Sequence, residues 1–117
     1  MSLQHVVLFA FADEPTPDLA DEMTDQIRGW VDAMPGIRAL RIGRDLTGAR
    51  TRGYHHLLYM EFDDEVDLRT YQQHPVHQQF LSWVNEHGIT PLAFDYLLDD
   101  TSVLLPRDNV RESSTKE

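Results

Sequence analysis

Tyr71, His74 and His77 fall within the segment Y-Q-Q-H-P-V-H, and His5, His55 and His56 sit in strand-like runs elsewhere in the chain. Imidazole exchanges a proton near neutral pH, and a phenol can donate a hydrogen bond to an oxygen that is gathering negative charge. Those are the parts needed to take a proton from beside a carbonyl and hold the enolate that results. Tyr71 and His77 are six residues apart, which is not same-face spacing on one regular helix. Pro75 resolves this: it disfavours helical geometry at His74 and starts a fresh helix, so the two side chains can converge. Asp95, in the apolar run L-A-F-D-Y-L-L, is a carboxylate in need of a partner, and a histidine N–H suits it. A plainer reading makes the same residues satisfied core side chains, with His74 capping a helix. A metal held by His5, His56, His74 and His77 is a weaker alternative, because no segment has established ligand spacing.

Four strands and two helical regions are needed to position these groups. Gln4 to Phe11 is apolar on both alternating faces, as in a central strand covered twice, with His5, Val7, Phe9 and Phe11 on one side. Thr16 then caps a helix that opens on Pro17 and carries Leu19, Met23, Ile27, Trp30, Val31 and Met34 at three- and four-residue spacing. Pro35-Gly36 stops it. Ile37 to Arg44 is a second strand, Asp45 to Gly53 a polar loop, and Tyr54 to Phe62 a third strand. In that third strand His56 shares a side with Leu58, Met60 and Phe62, and His55 points the other way. A helical region from Val66 to His87 is broken at His74-Pro75; its second piece carries His77, Phe80, Leu81 and Val84 and ends at Gly88. Leu92 to Leu98 is the last strand. The order β-α-β-β-α-β predicts a ferredoxin-like α+β fold, a four-stranded antiparallel sheet with helices on one face. Val6, Leu8, Leu57 and Tyr59 would then form an apolar patch on the open face, which a second subunit can cover.

Composition narrows the function. The chain has 117 residues, 10 Lys+Arg against 20 Asp+Glu and a formal charge of −10. That length fits one domain, read here as residues 1–104, followed by a tail over 105–117 expected to be disordered. There is no cysteine, so disulfides, thiolate metal sites and cysteine nucleophiles are excluded. The acidity argues against nucleic acid, whose phosphates call for basic contacts. Lys116 is the lone lysine and is remote from any core position, which removes Schiff-base chemistry. Arg38, Arg41, Arg44, Arg50 and Arg52 read as a solvated strand edge and loop. With no apolar run of membrane-spanning length and no signal-peptide pattern, the expected location is the cytoplasm.

The segments H-V-V-L-F-A-F-x-D-E, R-G-Y-H-H, Y-Q-Q-H-P-V-H-Q-Q-F and F-D-Y, in that order from His5 to Tyr96, resemble the stress-responsive dimeric α/β-barrel family. The resemblance implies a ferredoxin-like homodimer packed sheet to sheet. It also implies kinship with a plant polyketide cyclase that works by intramolecular aldol condensation without a cofactor. On that resemblance His77 is the acid/base, Asp95 orients it, and Tyr71 polarises a substrate carbonyl. His5 and His56 match cavity histidines; Val7, Phe9, Met23, Ile27 and Leu58 fall where the apolar substrate pocket lies, and His74 is expected to bind substrate with them. Gly53-Tyr54-His55-His56 departs from the family's Gly-Tyr-Thr-His, and the polar tail is longer. Two functions stay open: a cofactor-free cyclase-like catalyst acting on a small carbonyl compound, and a non-catalytic stress-response dimer that binds a hydrophobic ligand. Neither calls for a metal. An oxygenase, known among related dimeric folds, is a weaker third.

Overall fold

Strand alternation and helix capping combine into one antiparallel sheet backed by helices. The computed structural model of the chain describes residues 2–105 and Arg107; most of the tail expected to be disordered, Pro106 and residues 108–117, lies outside the described residues. The elements are β1 (Ser2–Ala10), α1 (Pro17–Arg28), α2 (Trp30–Ala33), β2 (Ala39–Arg44), β3 (Tyr54–Phe62), α3 (Glu65–Gln73), α4 (Pro75–Glu86) and β4 (Thr90–Leu98). The strands lie in the order β2-β3-β1-β4, and every neighbouring pair is antiparallel. This is the ferredoxin-like fold expected from the sequence.

The helix ends use the caps that the sequence offers. The Thr16 hydroxyl accepts the Leu19 N–H at 3.1 Å, and the Asp64 carboxylate accepts the Asp67 N–H at 3.0 Å. The break at Pro75 is present: His74 is extended, with φ −66° and ψ 138°, and its Nδ1 accepts the Val76 N–H at 3.1 Å. Gly88, at φ +69°, closes α4 with Ile89 N–H bonded back to the Val84 carbonyl. One expectation needs correcting. The first helix is not continuous to Met34 but divides at Gly29, whose lack of a side chain makes helix interior unfavourable by about 1 kcal/mol relative to Ala. The division leaves Trp30 buried and Val31 exposed, so Val31 is not part of the apolar stripe.

Register sorts the side chains by face. Toward the helices, Phe62–Leu3–Leu97, Met60–His5–Asp95, Leu58–Val7–Ala93 and His56–Phe9–Pro91 form rows across β3, β1 and β4. The rows of β1 and β3 pack on Met23, Ile27, Trp30, Tyr71, Phe80 and Val84 to make the core. Toward the open face, Leu57–Leu8–Leu92 and Tyr59–Val6–Phe94 form two apolar rows. Leu57, Leu92, Phe94 and Tyr96 are all exposed there.

Candidate functional site

Tyr71 is the hub of the titratable cluster under the sheet. It is the last buried side chain of α3, and the extended link at His74 turns the chain so that His77, in the first turn of α4, comes back beside it. The two rings are 4.2 Å apart between centroids. His5 reaches the same point from β1, its ring edge-on to Tyr71 at 5.5 Å. Trp30 closes the cluster with edge contacts to Tyr71 at 5.7 Å and to His77 at 5.8 Å. A cavity of about 150 Å³ adjoins these groups, lined by His5, Tyr71, Gln72 and His77 and by the apolar Val7, Phe9, Trp30, Leu58 and Phe80. Its outer wall is Leu81, Pro91 and Ala93, all exposed, so it lies close to solvent along the edge strand β4.

Protonation states follow from the partners. Nδ1 of His77 faces the Gln72 carbonyl oxygen at 3.2 Å. A carbonyl can only accept, so Nδ1 carries the hydrogen and Nε2 keeps the lone pair. Burial lowers the His77 pKa below the ordinary imidazole value, opposed by the Gln72 hydrogen bond and helped by nearby His5, which favours the neutral ring. Burial, and secondarily the charge of Asp95, pushes the Tyr71 hydroxyl far above its ordinary value, so it remains a phenol and a donor. The site therefore pairs a neutral base with a neutral donor.

Asp95 does not orient His77. Nδ1 of His5 donates to Oδ1 of Asp95, and the two residues are register partners on adjacent strands. Directly opposite residues have Cβ atoms about 5 Å apart, so the Asp95 carboxylate meets the His5 ring beside it in the sheet. The Gln72 carbonyl does for His77 what was expected of Asp95. No sequence signal marks that carbonyl, because every residue has one.

The family model for the stress-responsive A/B barrel domain matches residues 3–98. The chain belongs to that family. Comparison with curated proteins gives no match. Among solved structures, a dimeric ferredoxin-like protein of unknown function from Thermobifida fusca is 26% identical, with 84% of this chain and 92% of that one covered at a TM-score of 0.72. A hydroxynitrile lyase from Passiflora edulis is 16% identical over 87% of this chain and 97% of that one, TM-score 0.75. A family member from Mesorhizobium loti is 22% identical over 82% and 95%, TM-score 0.67. The last two likenesses are of fold.

In this A/B barrel domain the other expected site residues are dispersed. Met23 and Ile27 are fully buried and do not line the cavity beside His77; Trp30 stands there instead. His74 caps α4 and lines a separate hollow of about 220 Å³ on the far side of Tyr71. His56 is buried at the opposite end of the sheet, beside Arg44 and the start of α1. His56 and His74 thus stand apart from His5 and His77, so the four do not form one ligand set, and among the described residues no three ligating side chains are grouped for a metal. A wider hollow of about 630 Å³ lies on the open face, lined by Leu8, Arg41, Leu57 and Tyr59 among others. The Tyr71, His77 and His5 cluster adjoins the smaller one. No helix among the described residues is long and apolar enough to cross a membrane.

Proposed function

We propose that this A/B barrel protein is a cofactor-independent acid–base catalyst that enolises a small carbonyl compound and uses the enolate in aldol-type bond formation, as a polyketide cyclase does. The observation that carries the reading is the neutral imidazole of His77 against the neutral phenol of Tyr71, 4.2 Å apart beside one largely apolar cavity. Nε2 of His77 takes the proton from the carbon next to the carbonyl, and the electron pair moves to the carbonyl oxygen. Tyr71 donates a hydrogen bond to that oxygen as it becomes an enolate. The enolate carbon then adds to a second carbonyl, and the new alkoxide receives the proton back from the His77 imidazolium. His5, held by Asp95, packs against Tyr71 and acts as a positioning residue. A non-catalytic reading, with the cavity holding a hydrophobic ligand, draws support from the apolar walls formed by Val7, Phe9, Trp30, Leu58 and Phe80.

Exchange of α-hydrogens for deuterium separates the two without knowledge of the substrate. Small ketones and β-keto esters incubated with protein in D₂O are followed by proton NMR. Catalysed exchange that falls by about 10²–10⁴ in His77→Gln, and falls in Tyr71→Phe with binding retained, supports the enzyme. Binding of such compounds with no exchange across the panel establishes the ligand-holding role.

We further infer a cytoplasmic homodimer formed by stacking the open sheet faces. The apolar rows through Val6 and Leu8 support this, and the Thermobifida fusca relative is itself described as dimeric.

A further inference from the structure

Two adjacent rings at the start of β3 each keep one buried nitrogen without a hydrogen-bond partner, while Nε2 of His55 stands 3.8 Å from the Glu14 carboxylate. Nδ1 of His56 and Nδ1 of His55 are both buried and unpaired among the described residues, and His56 as a whole is only 6% exposed. A bulge brings this about. Phe9 pairs with His56 while Ala10 pairs with Tyr54, so His55 is an extra residue in the ladder. Both rings consequently lie against Phe11, at 5.8 and 5.6 Å, although a regular strand would send them to opposite faces. Buried polar side chains almost always have a partner, so an orphan of this kind points to a missing one.

Beside these rings is a cleft of about 300 Å³ between the first turn of α1 and the loop after β2, with Arg44 and Thr16 in its walls. Arg44 is exposed and has no ion-pair partner among the described residues. The 12-residue helix α1 starts here, and its first turn presents the positive end of the helix. Imidazole, guanidinium and helix terminus all favour a negative oxygen. The charge they can accept is limited, however, because Glu14 and Asp45 also line the cleft and Asp21 lines the adjoining hollow.

We propose that this cleft binds a small organic monocarboxylate, one oxygen taking the N–H of His56 and the other the guanidinium of Arg44. A doubly charged phosphate would face three nearby acids with a single arginine to offset it, whereas one carboxylate matches one fork of donors. The site is separate from the acid–base cavity: Phe9, the register partner of His56, lines that cavity, and His56 does not. Burial first, then His55 and Arg44, hold the His56 pKa below its ordinary value, and a bound carboxylate acts in the opposite direction.

The test is NMR on the full chain with labelled histidine, titrated with sodium benzoate at matched ionic strength and compared with inorganic phosphate. Benzoate is expected to move the His56 resonances and raise the midpoint of their titration, with Glu14, Asp21, Asp45, His55 and Arg44 as the surrounding charges. Arg44→Gln, an exposed change, should weaken binding by roughly tenfold or more, the loss expected for one charge-assisted hydrogen bond. His56→Asn supplies the assignment where it folds, and Arg44→Gln stands as the functional test where it does not. His56 resonances unmoved by benzoate, equal binding of phosphate, or unchanged affinity in Arg44→Gln would each overturn the proposal. None of these readouts depends on turnover at His77.

Discussion

His5 and Asp95 stand opposite each other in the β1–β4 ladder, and the imidazole donates its Nδ1 hydrogen to the carboxylate. The pair sits at the rim of the cavity, with the His5 ring buried and the Asp95 side chain 37% exposed. The carboxylate thereby fixes the orientation of the His5 ring, and the edge of that ring supports Tyr71. Two histidines with fixed orientations thus flank one phenol. His77 is set by a backbone carbonyl and His5 by a side chain.

Asp95→Asn should therefore act through His5 and leave the His77–Gln72 contact intact. Losing a hydrogen bond to a charged group is expected to lower kcat by roughly tenfold to a hundredfold, less than the loss from His77→Gln. NMR of labelled histidine should show the His5 ring perturbed and the His77 ring unchanged. A shift confined to His77 would contradict the pairing.

The pH response follows from His77 and His56, both held below the ordinary imidazole value of 6.5, chiefly by burial. The folded protein binds fewer protons than the unfolded chain between 6.5 and those lowered values. Their contribution to stability is complete above pH 6.5 and is lost as pH falls through the lowered native values. Urea midpoints measured on either side of pH 6.5 should show the drop, reduced in His77→Gln. In kcat/KM the acid limb should begin below 6.5, because neutral His77 is the base, and the high Tyr71 pKa should remove any loss of its proton near neutrality.

Much of the site was legible because periodicity places faces. Alternation in β1 and β3 put His5 and His56 under the helices, and the Pro75 break brought His77 to Tyr71. The partner of Asp95 was not legible by that route. Choosing between His5 and His77 needs the β1–β4 register, a property of two strands some 90 positions apart rather than of either segment. Counting antiparallel pairs inward from Ala10 and Thr90 arrives at His5 and Asp95, so the signal was there once the topology was assumed. The role of Met23 and Ile27 failed for a different reason. Spacing shows that they face inward but not whether the interior at that point is filled or hollow.

That distinction is measurable. Met23 and Ile27 are fully buried and lie away from the cavity beside His77. Ile27→Ala should destabilise the fold by about 2–5 kcal/mol, the range for such truncations in a packed core. The KM for an identified substrate should change little. Leu58→Ala, which truncates a cavity wall, should alter both stability and KM. Urea unfolding and steady-state kinetics on the two variants separate a core residue from a pocket residue.

The open sheet face gives a prediction that depends on no substrate. Phe94 is 67% exposed, next to Val6 in register, and Val6 lies in turn beside Tyr59; Leu92, Leu8 and Leu57 repeat the pattern one row along. Because Phe94 makes so little contact within its own protomer, Phe94→Asp should leave that protomer folded. Across a stacked interface the same carboxylate would be buried without a partner, a cost of about 3–5 kcal/mol and more than a hundredfold in Kd. Light scattering should give a dimer for the parent chain and a monomer for Phe94→Asp, with matching circular dichroism. Thermal unfolding should depend on concentration in the parent chain and lose that dependence in the variant. Val31→Asp supplies the control, since Val31 is 45% exposed and apolar but sits on α2, behind the sheet. It should stay dimeric. If Phe94→Asp remains a dimer, or if Val31→Asp is the variant that dissociates, the subunits meet through the helices and the sheet face is not the interface.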